Sequence, residues 1–504
     1  MSTVKNNIIA NYLGQVWSGV MAISFLPVYI EYLGIEAYGL IGVFVVMHTL
    51  LLLLDIGMTP TLNREMARFS AGEHSPQSIR NLLRSLEIIC FSVATLIAIS
   101  IWACSGYLAN EWLNVEGLSI DVVVQALSLM AVVVALRFCE GIYRGALYGL
   151  ERQVWYNVAY AILTTLRYAG AVVILISVSN SIEAFFVWQG IVSLISVVVF
   201  AFSVHKSLPQ AALKASFSRE SIAGIWKFAT GMLGITALTA FLLHADKILL
   251  SSMLPLREFG YYSLAATAAT VLFMIVVPVT QAIFPRMVKL SSRDDKNQLP
   301  DLYHMTTQLV TVLTAPAAMV LFFFADGVIY MWSGNIDLSQ NSAPLLSILI
   351  LGCFLNGLAH IPYQLQLAYG WTSLLVKTNA LIVVGLVAGI YLLTPIYGAI
   401  GAAWIWLIMN AVYLIISSHF MHRKLIQCEK WKWYFSDILL PSIGGVCVVL
   451  LVSEFYSRQS FDRLDWFALL SLTWVISTLA AILLTTSLKE KLISGALNYA
   501  HSKI

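Results

Sequence analysis

Apolar stretches long enough to cross a bilayer follow one another along almost the whole of this chain, and its charge is confined to the short gaps between them. Charged residues make up 11% and hydrophobic residues 59% of the 504 positions, against roughly 25% charged in ordinary soluble domains. A chain of this size dissolved in water needs far more polar surface. A spanning helix needs ~20 mainly apolar residues. Fourteen such spans can be drawn, near 8–31, 38–59, 83–106, 121–145, 153–178, 182–204, 222–253, 259–285, 304–325, 343–368, 372–394, 396–420, 435–454 and 465–487. Gly34, Ser179-Asn180-Ser181 and Pro395 supply the breaks between the most closely spaced pairs. The sequence therefore predicts an all-α polytopic membrane protein that works within the bilayer.

Lys and Arg orient the spans. Gaps after even-numbered spans are basic, carrying Arg64, Arg68, Arg80 and Arg84, then Arg144 and Arg152, then Lys206, Lys214, Arg219 and Lys227, then Arg286, Lys289, Arg293 and Lys296, and finally Arg423, Lys424, Lys430 and Lys432. Gaps after odd-numbered spans hold Arg257, Arg458 and Arg463 and otherwise acids such as Glu31, Glu36, Glu111, Glu116, Glu183, Asp326 and Asp337. Both termini are thus expected in the cytoplasm, and the net charge of +3 reads as topology rather than as a nucleic-acid footprint. The start, one lysine before a long apolar run without a small-residue cleavage site, reads as a retained first span. Six cysteines without paired spacing suggest packing residues, with no disulfide frame, metal or cofactor site expected. Motifs for nucleotide, zinc or serine chemistry are missing, and the outer gaps are short. An enzyme is not expected. A membrane glycan polymerase or ligase would need a sizeable outer loop bearing Arg, His or carboxylates.

An internal repeat is legible. Tyr38-Gly39 opens the second span and Tyr148-Gly149 closes the fourth, while Phe259-Gly260 opens the eighth and Tyr369-Gly370 closes the tenth. In each case 110 residues separate the glycines, and Leu33-Gly-Ile-Glu-Ala-Tyr-Gly39 lies over Leu254-Pro-Leu-Arg-Glu-Phe-Gly260. A six-span unit returns to the same orientation, so the copies form parallel repeats about the membrane normal, the layout of an alternating-access transporter. The expected division is an N-lobe at 1–204, a cytoplasmic linker at 205–221, a C-lobe at 222–425, and two appended spans with a cytoplasmic tail at 426–504.

Ionisable groups at bilayer depth cost at least ~2.5–3.5 kcal/mol each and normally face a wet cavity or a partner. Arg167 lies about fourteen residues into the fifth span, roughly 20 Å from its cytoplasmic end. Asp246 and Lys247 fall in the seventh span, Lys377 opens the eleventh, and Asp55 interrupts a leucine run in the second. Arg137, Glu140 and Arg144 share one helix face, which fits either a self-neutralised strut or a cationic ladder tuned by one carboxylate. His48, His244 and His360 read as hydrogen-bonded packing residues or as proton-coupling groups. Tyr143, Tyr148, Tyr363 and Tyr369 read as interface anchors or as platforms for sugar rings. Arg64, Arg137, Arg144, Arg167, Lys247 and Lys377 outnumber Asp55, Glu140 and Asp246, the ion-coupling candidates. A positive cavity of this kind suits a phosphate or pyrophosphate group and suits a cationic drug poorly.

With Asp55-Ile-Gly-Met-Thr-Pro-Thr-Leu-Asn-Arg64, Tyr143-Arg-Gly-Ala-Leu-Tyr-Gly149, Ala245-Asp-Lys247, Gly260-Tyr-Tyr262 and the stretch from Pro278 to Pro285-Arg286, the chain resembles the polysaccharide transporter branch of the multidrug/oligosaccharidyl-lipid/polysaccharide (MOP) exporter superfamily, in particular the Wzx-type O-antigen repeat-unit flippases. The resemblance implies a MATE-like fold of fourteen helices in the bacterial inner membrane. Its cargo would be undecaprenyl-pyrophosphate-linked oligosaccharide, moved from the cytoplasmic to the periplasmic leaflet. It also implies coupling to H+ or Na+ and work beside other polysaccharide assembly proteins. Drug exporters of the superfamily place a carboxylate in the first span, where this chain has Asn11, Gln15, Ser18 and Ser24. Lipid II flippases carry arginines in the first two spans, where this chain has none before Arg64, which makes them the alternative reading.

Overall fold

The computed structural model describes residues 2–55, 57–211, 213–219, 244–292, 298–455 and 461–486, with 2–8, 50–54, 292, 372 and 455 described in backbone only. The chain divides into two compact units, Met1–Gly260 and Tyr261–Ile504. The first contains α1 (Ser2–Ser24), α2 (Leu26–Leu33), α3 (Ile35–Leu54), α4 (Met58–Ser70), α5 (Pro76–Tyr107), α6 (Ile120–Gly149), α7 (Gln153–Ser177) and α8 (Ile182–Ser207). Then follow α9 (Leu256–Ala269), which begins in the first unit, α10 (Val271–Ser292), α11 (Gln298–Phe323), α12 (Ala325–Ser333), α13 (Ile336–Ala368), α14 (Thr372–Lys424), α15 (Leu440–Phe455) and α16 (Arg463–Leu483). Among the described residues, eleven helices are long and apolar enough to cross a membrane, and α3 supplies a shorter apolar one. The seventh expected span falls mainly on 220–243, outside the described residues. The protein is a multi-pass helical membrane protein.

Helix starts follow local chemistry. Ser75, Ser119, Ser181 and Asn335 each accept a hydrogen bond from the backbone N–H three residues on, which satisfies a donor that the first helical turn leaves open. Polarity then sorts inside out. Leu96, Ile162, Phe202 and Leu392 lie exposed on the outer faces, while Thr306, Thr307, Thr311 and Thr314 are buried along α11. Each of these threonine hydroxyls donates to the carbonyl one turn back, so no polar group is left bare in an apolar setting.

In the first unit α6 is the central helix, packed by α3, α4, α5 and α8, and α1 lies along α7. Asn11 donates to Gln153 at 2.7 Å and accepts from Asn157 at 2.6 Å. The polar positions of α1 therefore act as glue between helices. In the second unit α13 packs on α10, α11, α12 and α14, and α15 and α16 lie on α11. The division expected at 205–221 differs from the compact boundary at Gly260 because residues 251–256 bind back to the first unit: Trp112 donates to Ser251 at 3.2 Å, and Leu256 N–H donates to the Asn114 carbonyl at 2.8 Å.

Three expectations of detail are corrected. The break between the eleventh and twelfth spans falls at Gly398 (φ 60°, ψ −146°) rather than at Pro395, which sits inside the helix. Proline is tolerated there, whereas that backbone conformation is open only to glycine. Gly398→Ala should destabilise the protein by roughly 1–3 kcal/mol, measurable as a lowered unfolding midpoint in detergent, while Pro395→Ala should change little. The second span ends at Leu54, and Gly57 in the left-handed region starts α4. Finally, the turns after α6 and α13 have the same hydrogen bonds, with Leu150, Glu151 and Arg152 matching Tyr369, Gly370 and Trp371. Glu151 (φ 57°), not Gly149, therefore has the backbone role of Gly370 (φ 66°), and the glycine spacing is two residues out of step with the turn geometry.

Loops of the same parity meet. The Glu36 carboxylate accepts from the N–H groups of Glu116 and Gly117 at 2.8 Å, and Asn114 pairs with Leu256, which joins gaps after the first, third and seventh spans. At the basic end, Arg80 donates to the carbonyls of Leu208 and Pro209, and Ser218 N–H donates to Ser85.

Candidate functional site

A glycine stripe on α6 builds the floor of the site. A Cβ on Gly145 would stand 2.4 Å from the Thr59 carbonyl oxygen, and one on Gly149 would stand 2.2 Å from that of Asn63. Only hydrogen at these positions lets α4 press against α6. The turn before α4 is closed by Asp55, whose carboxylate accepts from Thr59 N–H at 3.2 Å and from its hydroxyl at 3.0 Å. Asp55 is thus a helix cap as well as a cavity carboxylate.

The cavity, about 310 Å³, is lined from α6 by Arg137, Phe138, Glu140, Gly141 and Arg144. From α7 it takes Tyr156, Tyr160 and Arg167, from α3 His48, from the following turn Asp55, and from the start of α4 Thr59 and Pro60. The α6 positions recur every three to four residues and so share a face, as do 156, 160 and 167 of α7.

Three guanidinium groups converge here, and each is held differently. Arg137 donates to Gln189 of α8 at 2.9 Å and lies 4.7 Å above the Phe44 ring. The aromatic face favours the cation without neutralising it. Arg167 is buried and meets Glu140 at 3.3 Å, with Ser196 at 3.4 Å. The Nε atoms of Arg137 and Arg167 are buried without a hydrogen-bond partner among the described residues. Arg144 is exposed to the cavity. Among the described residues neither Arg137 nor Arg144 has a carboxylate within 4.0 Å. Glu140 therefore pairs across helices with Arg167, not along α6 with its neighbours in sequence. Three arginines against Asp55 and Glu140 leave the lining with an excess of positive charge.

The other expected members lie elsewhere. Arg64 is exposed, 3.8 Å from Glu65. Tyr143 is buried with its hydroxyl donating to Glu87 at 3.0 Å, so its ring has no open face for a sugar. Tyr148 touches the cavity aromatics edge-on, 5.3 Å from Tyr156, which itself stacks on Tyr160 at 5.5 Å. In the second unit Lys377 and Tyr369 are exposed, and Tyr363 packs 6.1 Å from His360. Asp246 is buried and Lys247 half-buried, neither lining this cavity.

Sequence reasoning missed Tyr156 and Tyr160, although their spacing from Arg167 on one helix face was a usable signal. It had no access to Gln189 and Phe44, which reach Arg137 from distant segments. It also missed a second buried polar centre. His304 is held between Asp437 and Glu429, at 2.9 Å from the latter, and Gln308 donates to the other Asp437 oxygen at 2.8 Å. Asp437 lies in a π-helical turn, Trp433–Leu439, which widens the helix just before α15 and turns the carboxylate inward.

Comparison with known proteins agrees with this architecture. Residues 4–291 match the family described as polysaccharide biosynthesis protein. A Shigella flexneri protein named "Putative O-antigen transporter" is 22% identical over 419 residues, covering 82% of this chain and 97% of that protein. The lipid II flippase MurJ in an inward closed conformation superposes with a TM-score of 0.70 at 13% identity, over 93% of this chain and 97% of MurJ. An inward-facing multidrug resistance MATE family transporter of the MOP superfamily superposes with a TM-score of 0.60 at 14% identity, over 82% and 94% of the two chains. The fold is therefore that of the MOP transporters, and with more than half of its length matched, this chain belongs to the polysaccharide biosynthesis protein family.

Proposed function

We propose that the protein is a flippase that carries undecaprenyl-pyrophosphate-linked oligosaccharide, an O-antigen repeat unit or a similar surface glycan, from the cytoplasmic to the periplasmic leaflet of the bacterial inner membrane. The observation that carries this reading is the convergence of Arg137, Arg144 and Arg167 on one cavity, two of them without a carboxylate partner among the described residues. A pyrophosphate cannot shed its water in hydrocarbon without replacement donors, and guanidinium forks supply them in the right geometry. Tyr160, half-buried in the cavity lining and backed by the buried Tyr156, offers aromatic surface to the sugar next to the phosphate. The prenyl tail stays in lipid. Asp55 and Glu140 are the groups whose neutralisation by H+, or binding of Na+, would alter the cavity's charge and bias its opening. Asp246 remains a third such candidate, and Lys247 and Lys377 remain candidate phosphate contacts.

The alternative, a lipid II or other lipid-linked glycan flippase, draws on the likeness to MurJ. It is disfavoured by α1–α3, which contain no arginine. Deleting the gene and analysing the lipid fraction decides between them. The O-antigen reading expects loss of surface glycan with accumulation of an undecaprenyl-pyrophosphate-linked repeat unit and intact cell shape. Accumulated lipid II with lysis would replace it by the alternative.

A further inference from the structure

The two glycines that open matching helices in the repeat meet in the structure. A Cβ on Gly39 of α3 would stand 2.4 Å from the carbonyl oxygen of Leu256, the first residue of α9. A Cβ on Gly260 would stand 2.5 Å from the carbonyl oxygen of Ile35, the first residue of α3. Each glycine is the fifth residue of its helix and rides over the first carbonyl of the other. The crossing is reciprocal, with the Leu256 side chain against Gly39 and the Ile35 side chain against Gly260 beside the two carbonyls.

The surroundings tighten this contact with buried apolar side chains and hydrogen bonds. Leu40, Leu256 and Phe259 are buried around it. The Glu36 carboxylate spans to the N–H groups of Glu116 and Gly117, and Leu256 N–H donates to Asn114. Glu36, Asn114, Glu116, Gly117 and Leu256 belong to gaps that the Lys/Arg pattern assigns to the outer side, and Leu40 and Phe259 stand at the starts of the adjoining spans. The cavity carboxylate Asp55 lies sixteen residues further along the same chain segment, roughly 24 Å away if helical throughout. A crossing with glycine at its nearest points closes tightly, and because neither glycine carries a side chain to withdraw, it parts by giving up van der Waals contacts and a few hydrogen bonds.

We propose that the Gly39–Gly260 crossing is the outer gate of the cavity, with Glu36 as its latch. In this reading the starts of α3 and α9 separate to release cargo outward and re-seat glycine on carbonyl to seal the bilayer. Its use rests on the transport reading above, but its opening is measurable without any cargo. On a background free of native cysteines, His48→Cys in the cavity reports access from outside to an impermeant, charged thiol reagent in spheroplasts. Gly39→Leu or Gly260→Leu should hold the helix starts apart and raise the labelling rate at least about tenfold, with Gly39→Ala giving a smaller rise. Should those variants fail to accumulate, hydrogen exchange on the otherwise unaltered protein in nanodiscs tests the same device. The segments at 35–40, 114–117 and 254–260 should open together, and Glu36→Gln should speed all three about tenfold. Unchanged labelling in well-expressed Leu variants, or the three segments exchanging independently, overturns the gate. Loss of the gate by these measures with intact glycan export would leave the transport reading standing, whereas a working gate in a protein whose deletion accumulates no lipid-linked glycan would remove that reading alone.

Discussion

Arg137→Gln should reduce surface-glycan export roughly tenfold to a hundredfold while the protein remains in the membrane at close to its normal level. A charged donor to a phosphate is worth about 1.5–3 kcal/mol, and 1.4 kcal/mol is tenfold in affinity. The introduced amide would keep a partner for Gln189 and leave no buried carboxylate stranded, because among the described residues Arg137 has none within 4.0 Å. Arg137→Lys should recover part of the activity, since a point charge still attracts phosphate but lacks the planar fork and the fit over Phe44. Immunoblotting of membranes against lipopolysaccharide gels gives the two quantities. Normal export from well-accumulated Arg137→Gln would remove Arg137 from the binding role.

Arg167 should behave differently, and the contrast tests the geometry. Arg167→Ala leaves Glu140 buried without its partner, and breaking one side of a buried pair costs roughly 3–5 kcal/mol. Protein abundance should fall in step with export, and the unfolding midpoint in detergent should drop sharply. The double variant Arg167→Met, Glu140→Gln removes both charges and should restore abundance and midpoint to near normal without restoring export. If Arg167→Ala accumulates normally, the Glu140 pairing does not support the fold. If the double variant also restores export, the pair is a strut and the phosphate site consists of Arg137 and Arg144 alone.

This outcome differs from the simplest expectation for an isolated deep arginine, which treats Arg167 as a free cation awaiting cargo. The spacing of Arg137, Glu140 and Arg144 on α6 offers Glu140 two partners, and neither is the one it takes. Helix periodicity says which side chains share a face. It says nothing of which face of another helix comes opposite. The glycines of α6 are a similar case. Their interval suggests a repeat, and their chemistry suggests close packing, but only the chain's path shows α4 to be the helix that lies in that groove.

Much of the architecture was set by short-range rules that a sequence states openly. Apolar length determined that the chain spans a membrane many times, because a water-soluble fold of this size needs far more polar surface than the sequence supplies. The capping serines and asparagine marked helix starts, and a glycine took the one backbone conformation barred to other residues at 398, although a proline nearby looks the better break. The family was legible too, since its motifs are local strings. The tertiary structure alone decided the site's membership: it brought Gln189 and Phe44 to Arg137, sent Tyr143 to Glu87, left Arg64 and Lys377 at the surface, and closed Asp437 on His304 across more than a hundred residues. Those choices depend on which helices pack together. Packing in a membrane is settled by the fit of small residues and the pairing of every buried polar group at once, a condition on the whole fold that no local stretch of sequence contains.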